Sequence, residues 1–423
     1  MDIEKSRTNQ NLGITEDWTV VILGFVLIGL SVFGLSIAVP TYKWENVSDF
    51  TNIVSTKNLS GILQQFTIVY LLIIFGNLLM GKPIANVAKG FPLVFVLTIG
   101  ALCISGNSFL KEMGLEAVIF SLLIGLLVGN LFKLPLWFRS ALNAELFVKI
   151  GLVLLGTNII FSDILEAGIL GLLQSLMVVL SVWYFAYWLC RKLKVDDELT
   201  MMISSAVSIC GVSAAIATSG AIKGDQKKLS YVVSMVLITA IPMMLGMPYL
   251  AKLMGLSHEV TGAWLGGSID TSGAVVASGS LVGDRALEIS TIVKFSQNVL
   301  LGVAALAISI YWTYRGAPAG GTVEKPSLKI IWERFPKFVL GFIAASVLFS
   351  FFLQQETVTS IKGGIKEVQG LWFALAFTSI GLETNFKDLI SNNNLKPFFA
   401  FTIAQLFNVV VTLIIASLLF GNI

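Results

Sequence analysis

Long apolar runs separated by short connections dominate this chain of 423 residues. A run of about 20 apolar residues is long enough to cross the hydrocarbon core of a bilayer as a helix, and in that core every backbone polar group needs a partner within the protein. Only 13% of the residues are charged, about half the proportion in a soluble domain. The sequence therefore predicts an all-α polytopic membrane protein with about 13 transmembrane helices, near residues 18–41, 60–81, 88–106, 115–132, 146–162, 168–190, 198–222, 229–252, 259–283, 288–313, 338–354, 368–386 and 397–421.

The positively charged residues of the predicted connections indicate the orientation of the chain. With a cytoplasmic N-terminus, 17 Lys and Arg residues fall on the inner side and 9 on the outer side, as the positive-inside rule requires. The first 17 residues do not have the pattern of a cleaved signal peptide. We expect a multi-pass protein of the bacterial inner (plasma) membrane with its N-terminus in the cytoplasm, and thirteen crossings would place the C-terminus outside.

Five segments make up the predicted organisation. Residues 1–110 are an N-terminal extension with about three transmembrane helices, 111–195 a first group of repeat-related helices, 196–315 a core, 316–337 a cytoplasmic linker rich in Gly and Pro, and 338–423 a second repeat-related group. Since the connections are short, no separate soluble domain is expected.

Two internal similarities bear on the fold. Residues 155–165 and 380–390 share a Gly, a Phe and an Asp in register, and in the predicted topology they cross the membrane in opposite directions. That is the mark of the inverted repeats of secondary transporters. Residues 208–225 and 268–284 are also alike, and both end in Gly-Asp. Either match can also arise by chance among helices rich in Gly, Ala and Ser.

Several functional classes are disfavoured. Cys103, Cys190 and Cys210 lie in unrelated apolar segments without metal-ligand spacing. With His258 as the only histidine, a catalytic histidine constellation is not expected, and the chain lacks a phosphate-binding loop of the GxxxxGK[ST] type. A net charge of +3 is too small to indicate nucleic acid. We expect neither an enzyme nor a cofactor, apart from a coupling ion.

Two segments, 198–222 and 259–283, combine apolar character with many Gly, Ser and Thr residues. Glycine costs about 1 kcal/mol in a helix interior, and Ser and Thr side chains compete for backbone hydrogen bonds. We therefore predict two broken helices that face one another near the membrane centre. The alternative is that the small residues only permit close helix packing, as Gly262 and Gly266 would.

A broken helix exposes N–H groups that attract anions and C=O groups that attract cations, which is how many transporters build a site at mid-membrane. We assign eleven residues of this region to the substrate: Ser208, Cys210, Gly211, Ser213, Thr218, Ser219, Ser268, Thr271, Ser272, Gly273 and Asn298.

Asp270 is the strongest functional candidate, because a carboxylate within a membrane segment is costly and is usually functional. Lys294 on the next predicted helix is its expected counter-charge, and Gln297 follows one turn later. We assign these three to ion coupling, with Na⁺ near Asp270 or H⁺ as the ion. The alternative for Lys294 is a side chain that extends to the membrane surface from a helix end. Lys149 is expected to form a surface pair with Glu145, and Glu383 can be a loop-edge charge or a cavity group.

The same residues carry a family resemblance. The stretches "SICGVSAAIATSGAIK", "GAWLGGSIDTSGAVVASGSLVGDRALEISTIVKFSQNVL" and "IWERFPKFVLGF" resemble the sulfate exporter (YeiH-like) family of bacterial membrane proteins, and most closely its longer members with extra N-terminal helices. The stretch "VKIGLVLLGTNIIFSDIL" and the segments after it resemble the early helices of bile acid–sodium symporters. This resemblance implies a secondary carrier with crossed, broken helices. Shorter members carry a His-Glu pair where this chain has "IDTSG" (269–273), so their ion coupling can differ.

The predicted function is secondary active export or exchange of a small anion, with sulfate or a sulfonate as the best candidate, coupled to Na⁺ or H⁺. The alternative is a cation/proton antiporter that uses Asp270 and Lys294 without an anionic substrate. The expected partners are the small anion, the lipid bilayer and a second copy of the chain in a homodimer, but not nucleic acid.

Overall fold

The computed structural model describes residues 13–34, 38–112, 117–139, 141–316, 329–384 and 395–421. Nearly all of them are helical, and within these ranges the only β-type pairing is an isolated bridge between Trp44 and Asn107. The helices are α1 (Glu16–Val32), α2 (Val47–Ile53), α3 (Thr56–Leu79), α4 (Ile84–Ser105), α5 (Ser108–Glu112), α6 (Ala117–Leu131), α7 (Leu136–Arg139), α8 (Ala144–Leu155), α9 (Phe161–Lys192), α10 (Asp197–Ser205), α11 (Val212–Ile222), α12 (Gln226–Leu253), α13 (His258–Ser268), α14 (Ser272–Val282), α15 (Asp284–Gly316), α16 (Lys329–Arg334), α17 (Phe338–Val347), α18 (Gln355–Glu383) and α19 (Lys396–Phe420).

The predicted membrane class is confirmed. In the described part of the chain, seven helical segments are long and apolar enough to cross a membrane: Thr56–Leu79, Ile84–Ser105, Leu136–Asn158, Phe161–Lys192, Gln226–Leu253, Asp284–Trp312 and Lys396–Phe420. Shorter apolar helices occur at Ala117–Leu131, Val212–Ile222, Ser272–Val282 and Phe338–Phe352. Helices overlap all of the apolar runs predicted from the sequence, but the count of about 13 crossings and the inverted repeat stay predictions. The Phe and Asp that 380–390 contributes to that repeat lie outside the described residues.

Two compact units divide the chain. The first contains α1–α8 with α17 and α18, and the second contains α9–α16 with α19. Each unit therefore combines helices that are far apart in the sequence, and the predicted segments 111–195 and 338–423 each contribute to both.

Glycines allow α6 and α18 of the first unit to pack backbone against backbone. A Cβ added to Gly381 would lie 2.5 Å from the carbonyl oxygen of Leu122 and 2.7 Å from the amide nitrogen of Leu126. On α6, Gly125 and Gly129 make equally close approaches to α18. Such small-residue contacts are the usual way for membrane helices to approach closely.

Replacement of Gly381 by alanine should destabilise the first unit, because the new methyl group meets rigid backbone. Overpacking of this kind costs about 1–3 kcal/mol. Gly370 lies on the same helix with no atom within 4 Å of an added Cβ, so Gly370→Ala should be neutral or gain up to about 1 kcal/mol from helix propensity. Chemical unfolding of the two variants in a lipid nanodisc measures the difference. Equal stabilities would show that the close approach of α6 and α18 is not a constraint.

Lys149 lies inside a cluster of carboxylates in the first unit. Its ammonium is 2.9 Å from Glu16, 3.1 Å from Asp17 and 3.4 Å from Glu145. The predicted pair with Glu145 is therefore present, but Lys149 is only 18% exposed and also holds the start of α1. The cluster is a structural clamp between α1 and α8 rather than an isolated surface pair.

In the second unit, α13 packs on α15 through the small residues expected to permit it. A Cβ on Gly262 would lie 2.7 Å from the carbonyl oxygen of Ala286, and one on Gly266 would lie 2.5 Å from that of Ser290. The N-terminus of α13 is capped by Ser257, whose hydroxyl accepts from the amide of Val260. The close packing at Gly262 and Gly266 fixes α13 beside the part of α15 that carries Lys294.

Candidate functional site

The first break lies between α10 and α11. Residues Ala206–Cys210 form a π-helical turn, and Gly211 follows with φ +55° and ψ −110°. A side chain at such a φ is strained, whereas glycine adopts it without a Cβ clash, and π-helical turns are frequent at functional sites. The α-helix then resumes at Val212.

The second break lies between α13 and α14. α13 ends at Ser268, and Ile269 and Thr271 have extended backbone angles on either side of Asp270. The Thr271 hydroxyl accepts a hydrogen bond of 3.2 Å from the amide of Ala274, so it caps the new helix. Both segments predicted to contain broken helices are therefore interrupted.

The two breaks occupy matching positions in the two similar segments. α11 and α14 each have 11 residues, and both begin one residue after the stretches "SICG" and "SIDT", which align at a constant offset. The hydroxyls of Ser208 and Ser268 each donate to the carbonyl four residues earlier, on Ser204 and Trp264. The similarity between 208–225 and 268–284 thus corresponds to interruptions at the same aligned position, although the backbone is a π-helical turn before Gly211 in the first and extended at Ile269 and Thr271 in the second.

The two breaks also meet in space. A Cβ added to Gly211 would lie 3.0 Å from the Cβ of Asp270 and 2.6 Å from Cγ1 of Val236 on α12. The absence of a side chain at Gly211 is what lets the second break approach the first. We call the residues 206–212 and 268–272, together with the side chains that contact them, the crossing.

Substitution of Gly211 by alanine should disturb the crossing strongly. A non-glycine residue in a left-handed conformation costs about 1–2 kcal/mol, and the steric overlap adds about 1–3 kcal/mol. Gly246, in the interior of α12, has open space around an added Cβ, so Gly246→Ala is a matched control that should be neutral or stabilising. Unfolding midpoints of both variants test this, and a Gly211→Ala protein as stable as wild type would contradict the described backbone.

Side chains from α15 bind the carbonyl groups that the breaks leave unpaired. The Lys294 ammonium donates to the carbonyl of Ile209 at 3.2 Å and to Oε1 of Gln297 at 2.6 Å. The Gln297 amide in turn donates to the carbonyls of Ser208 at 2.9 Å and Gly267 at 3.2 Å. Lys294 is 1% exposed, so it does not extend to the membrane surface.

Side chains from α19, in the same unit, also donate to carbonyl groups of the two breaks. Gln405 donates to the carbonyl of Ser268 at 2.7 Å, and Asn408 donates to those of Val207 at 2.9 Å and Ser268 at 3.2 Å. Thr412 donates to Oδ1 of Asn408 at 2.8 Å. The sequence analysis missed these residues, although polar residues at helical spacing in so apolar a segment are a recognisable signal.

Asp270 and Lys294 are both buried but do not form an ion pair. Asp270 is 2% exposed, its Oδ2 has no hydrogen-bond partner, and the ion pairs between described residues do not include one with Lys294. The expected direct pair is thus replaced by a lysine held on the Ile209 carbonyl, with the carboxylate left beside it. The structure brings the three predicted ion-coupling residues to one place.

The residues assigned to the substrate fall into two groups. Ser213 is exposed, and Thr271 and Ser272 are half-buried; the side chain of Asn298 donates to the Ser272 hydroxyl at 3.4 Å. The N-cap of α11 is Gly211, which has no side chain to accept from the first N–H groups of the helix. The other group is buried: Ser208, Cys210, Gly211, Thr218, Ser219, Ser268 and Gly273.

Other candidate groups have structural contacts. The Glu383 carboxylate accepts from the amide of Ala144 at 3.5 Å, at the start of α8. Among the described residues, no group of three or more His, Cys, Asp or Glu side chains is arranged to hold a metal ion.

Comparison with known proteins places the chain among membrane proteins. The sequence model of the family described as conserved hypothetical protein 698 matches residues 89–401. A UPF0324 membrane protein of Rhodopirellula baltica is 40% identical over 372 residues, covering 85% of this chain and 68% of the relative. A UPF0324 membrane protein of Nitratidesulfovibrio vulgaris is 37% identical over 361 residues, covering 82% of this chain and 61% of the relative. One of Nitrosomonas europaea is 27% identical over 450 aligned residues, covering 91% and 92%.

The chain therefore spans less than two thirds of the length of the Nitratidesulfovibrio relative and slightly more than two thirds of the length of the Rhodopirellula relative. No solved structure matches the chain.

Proposed function

The chain belongs to the conserved hypothetical protein 698 family of membrane proteins, and from the geometry of the crossing we propose that it is a secondary active transporter of a small anion. One observation carries this proposal: two interrupted helices meet at Gly211 and Asp270, and their interruptions are held by polar side chains from α15 and α19. In membrane carriers, interrupted helices supply backbone groups for substrates and ions at the point of crossing.

The charges at the crossing favour an anion as the substrate. The carbonyl groups of Val207, Ser208, Ile209, Gly267 and Ser268 already accept hydrogen bonds, so the negative ends of α10 and α13 are neutralised. The positive end of α11 has no side-chain cap, and helix N-termini bind anions through their N–H groups and dipole. The exposed Ser213 lies in the first turn of α11, and the half-buried Ser272 is the first residue of α14. Both side chains carry a hydroxyl group that can donate to an anion.

Several finer features belong to this proposal. Sulfate or a sulfonate fits because it is a compact anion that accepts several hydrogen bonds, and this choice agrees with the resemblance to the sulfate exporter family. Coupling to Na⁺ or H⁺ through Asp270 fits the buried carboxylate. We also propose about 13 crossings, an inner-membrane location with a cytoplasmic N-terminus, a homodimer, and no resident cofactor or enzymatic activity.

A cation/proton antiporter is the second candidate. It is favoured by the burial of an acid and a lysine at the same crossing, since buried charges in membrane segments commonly serve ion translocation. In that case no anion would bind between the helix ends.

A stability screen of the purified full chain separates the two functions. Sulfate, sulfonates, dicarboxylates and sodium chloride are tested singly, because a ligand that binds the native state at 100 times its Kd stabilises it by about 2.7 kcal/mol. The proposal expects one anion class to raise the melting temperature of wild type, and Asn298→Ala to reduce that rise. Asn130 on α6 also donates hydrogen bonds through its side-chain amide, but it lies in the first unit. The Asn130→Ala variant should therefore show the same anion-induced rise in melting temperature as wild type. A response to sodium without any response to anions would favour the antiporter.

A further inference from the structure

The two ends of the first interrupted segment, 197–222, lie beside one another. The amide of Asp225 donates to the carboxylate of Glu198 at 3.0 Å, and the ammonium of Lys228 is 2.7 Å from the carboxylate of Asp196. A continuous helix would place residues 198 and 225 roughly 40 Å apart, since each residue adds about 1.5 Å. The chain therefore turns back at the first break instead of continuing in one direction.

The second interrupted segment, 258–282, turns back in the same way. A Cβ added to Gly283 would lie 3.6 Å from Cε1 of His258, and Nε of Arg285 is 3.4 Å from the carboxylate of Glu259. A straight helix would separate the two ends of this segment by roughly 36 Å. We call 197–222 the first hairpin and 258–282 the second hairpin.

The long helix α9 shows that the two hairpins begin at opposite ends of the unit. Near its start, the carboxylate of Asp163 is 3.5 Å from Nη1 of Arg285, beside the second hairpin. Near its end, Arg191 forms an ion pair with Asp197, the first residue of the first hairpin. The stretch of α9 between these two contacts rises roughly 42 Å, and α9 is long and apolar enough to cross a membrane. The hairpins therefore begin at the two ends of a membrane span.

The contacts with α15 place the hairpins in the same order. A Cβ added to Gly279 of the second hairpin would lie 2.6 Å from Oγ of Ser290, whereas Ala214 of the first hairpin packs in one cluster with Leu301 and Ala305. The arms α10, α11, α13 and α14 have 9 or 11 residues each and rise about 14–16 Å. This is about half of the hydrocarbon core of a bilayer, so each arm reaches only to its centre.

Resting on the proposed function, we propose that both hairpins are re-entrant, that they enter the membrane from opposite sides, and that the anion binds between their tips. The first hairpin then separates the tips from the side of residues 193–196, and the second separates them from the side of residues 254–257. Neither segment crosses the membrane, so hairpins replace two of the membrane spans proposed above. The sides of all the other spans are unchanged outside 223–257, because two spans are removed together.

The distribution of positive charge supports the hairpins over two membrane spans. With hairpins, Lys223, Lys227 and Lys228 move to the predicted cytoplasmic side, and Lys252 moves to the outer side. The inner side then holds 19 Lys and Arg residues and the outer side 7, instead of 17 and 9. The bias agrees more closely with the positive-inside rule.

The tips satisfy the main condition for a turn inside the membrane. Irregular backbone at that depth is tolerated only where it is covered by protein or lines a cavity. Residues 206–210 and 268–270 are buried. The carbonyl of Ser208 accepts from the amide of Gln297, and that of Ser268 accepts from the amide of Gln405. The fold of the second unit therefore supplies the partners that two re-entrant tips need.

Substituted-cysteine labelling of the full chain in spheroplasts tests this topology. The variants are Lys192→Cys and Gln226→Cys, which flank the first hairpin, and Met254→Cys and Asp284→Cys, which flank the second; all four side chains are exposed. Each variant is treated with a membrane-impermeant maleimide before and after permeabilisation. We expect the first pair to gain label only after permeabilisation and the second pair to be labelled before it.

The grouping of the four positions decides between the topologies, whichever side is cytoplasmic. Two membrane spans would instead place Lys192 with Met254 and Gln226 with Asp284. The inference is overturned if Lys192→Cys and Gln226→Cys differ, if Met254→Cys and Asp284→Cys differ, or if all four variants behave alike.

The unsubstituted chain gives the background of this measurement, because Cys190 and Cys210 are buried and Cys103 is half-buried. Lys227→Cys and Leu253→Cys are adjacent, exposed positions that serve in place of a variant that is not produced. The labelling needs no anion, so it is independent of the ligand screen. A different grouping with anion-induced stabilisation intact would remove the hairpins alone, whereas the expected grouping without any anion response would remove the proposed transport of anions.

Discussion

Asp270→Asn should abolish the dependence of anion flux on the ion gradient in proteoliposomes. The substitution preserves the shape of the side chain but removes the carboxylate that we propose to bind the coupling ion. Coupling free energies between two ligands are usually about 1–3 kcal/mol, which corresponds to about 5–150-fold in affinity. We therefore expect gradient-driven uptake to fall to the rate of gradient-independent exchange, while anion binding survives or tightens because the repulsion by the carboxylate is gone.

Asp163→Asn is the control for this measurement. Asp163 lies in the same unit and its carboxylate is 3.5 Å from Arg285, but both side chains are about one third exposed and do not contact the crossing. This variant should keep its full response to the gradient. If anion flux in Asp270→Asn proteoliposomes also kept its full dependence on the ion gradient, Asp270 would have no part in coupling and would be a structural residue.

The second large effect is expected for Lys294. Lys294→Met removes two hydrogen bonds from a buried ammonium, to Ile209 and Gln297, and leaves Asp270 without a nearby positive charge. Hydrogen bonds of charged groups contribute about 1.5–3 kcal/mol each, so we expect a loss of about 3 kcal/mol or more in the free energy of unfolding. Anion binding should weaken as well, because the positive charge at the crossing is lost.

A double-mutant cycle identifies the electrostatic part of this loss. The Asp270→Asn/Lys294→Met protein should be more stable than Lys294→Met alone, since no buried charge is then left uncompensated. Contacting or networked residues show interaction energies of about 0.5–3 kcal/mol. Asp270→Asn combined with Lys149→Met, which removes the half-buried lysine of the first unit, should instead be additive. Additivity in both cycles would mean that Asp270 and Lys294 do not sense one another.

The sequence alone determined the class of protein and the position of both breaks. Apolar runs of membrane length are a property of composition, and the interruptions at 206–211 and 269–271 follow from local chemistry: glycine adopts the φ of Gly211, and Thr271 caps the helix after it. Asp270 could be singled out because a carboxylate is rare in such a segment. Membership of a membrane-protein family is shown, whereas the resemblance to sulfate exporters stays a prediction about substrate.

Only the tertiary structure decided what surrounds Asp270. The groups that bind the free carbonyls come from α15 and α19. Asn408, for example, is separated from its partner Val207 by 201 positions in the sequence. No local pattern specifies such a pairing, since it depends on which helix faces the break after packing. For the same reason the sequence suggested an ion pair between Asp270 and Lys294, while in the folded protein the lysine binds the Ile209 carbonyl. Backbone breaks are encoded locally, but the partners that make a break stable in a membrane are supplied by the fold.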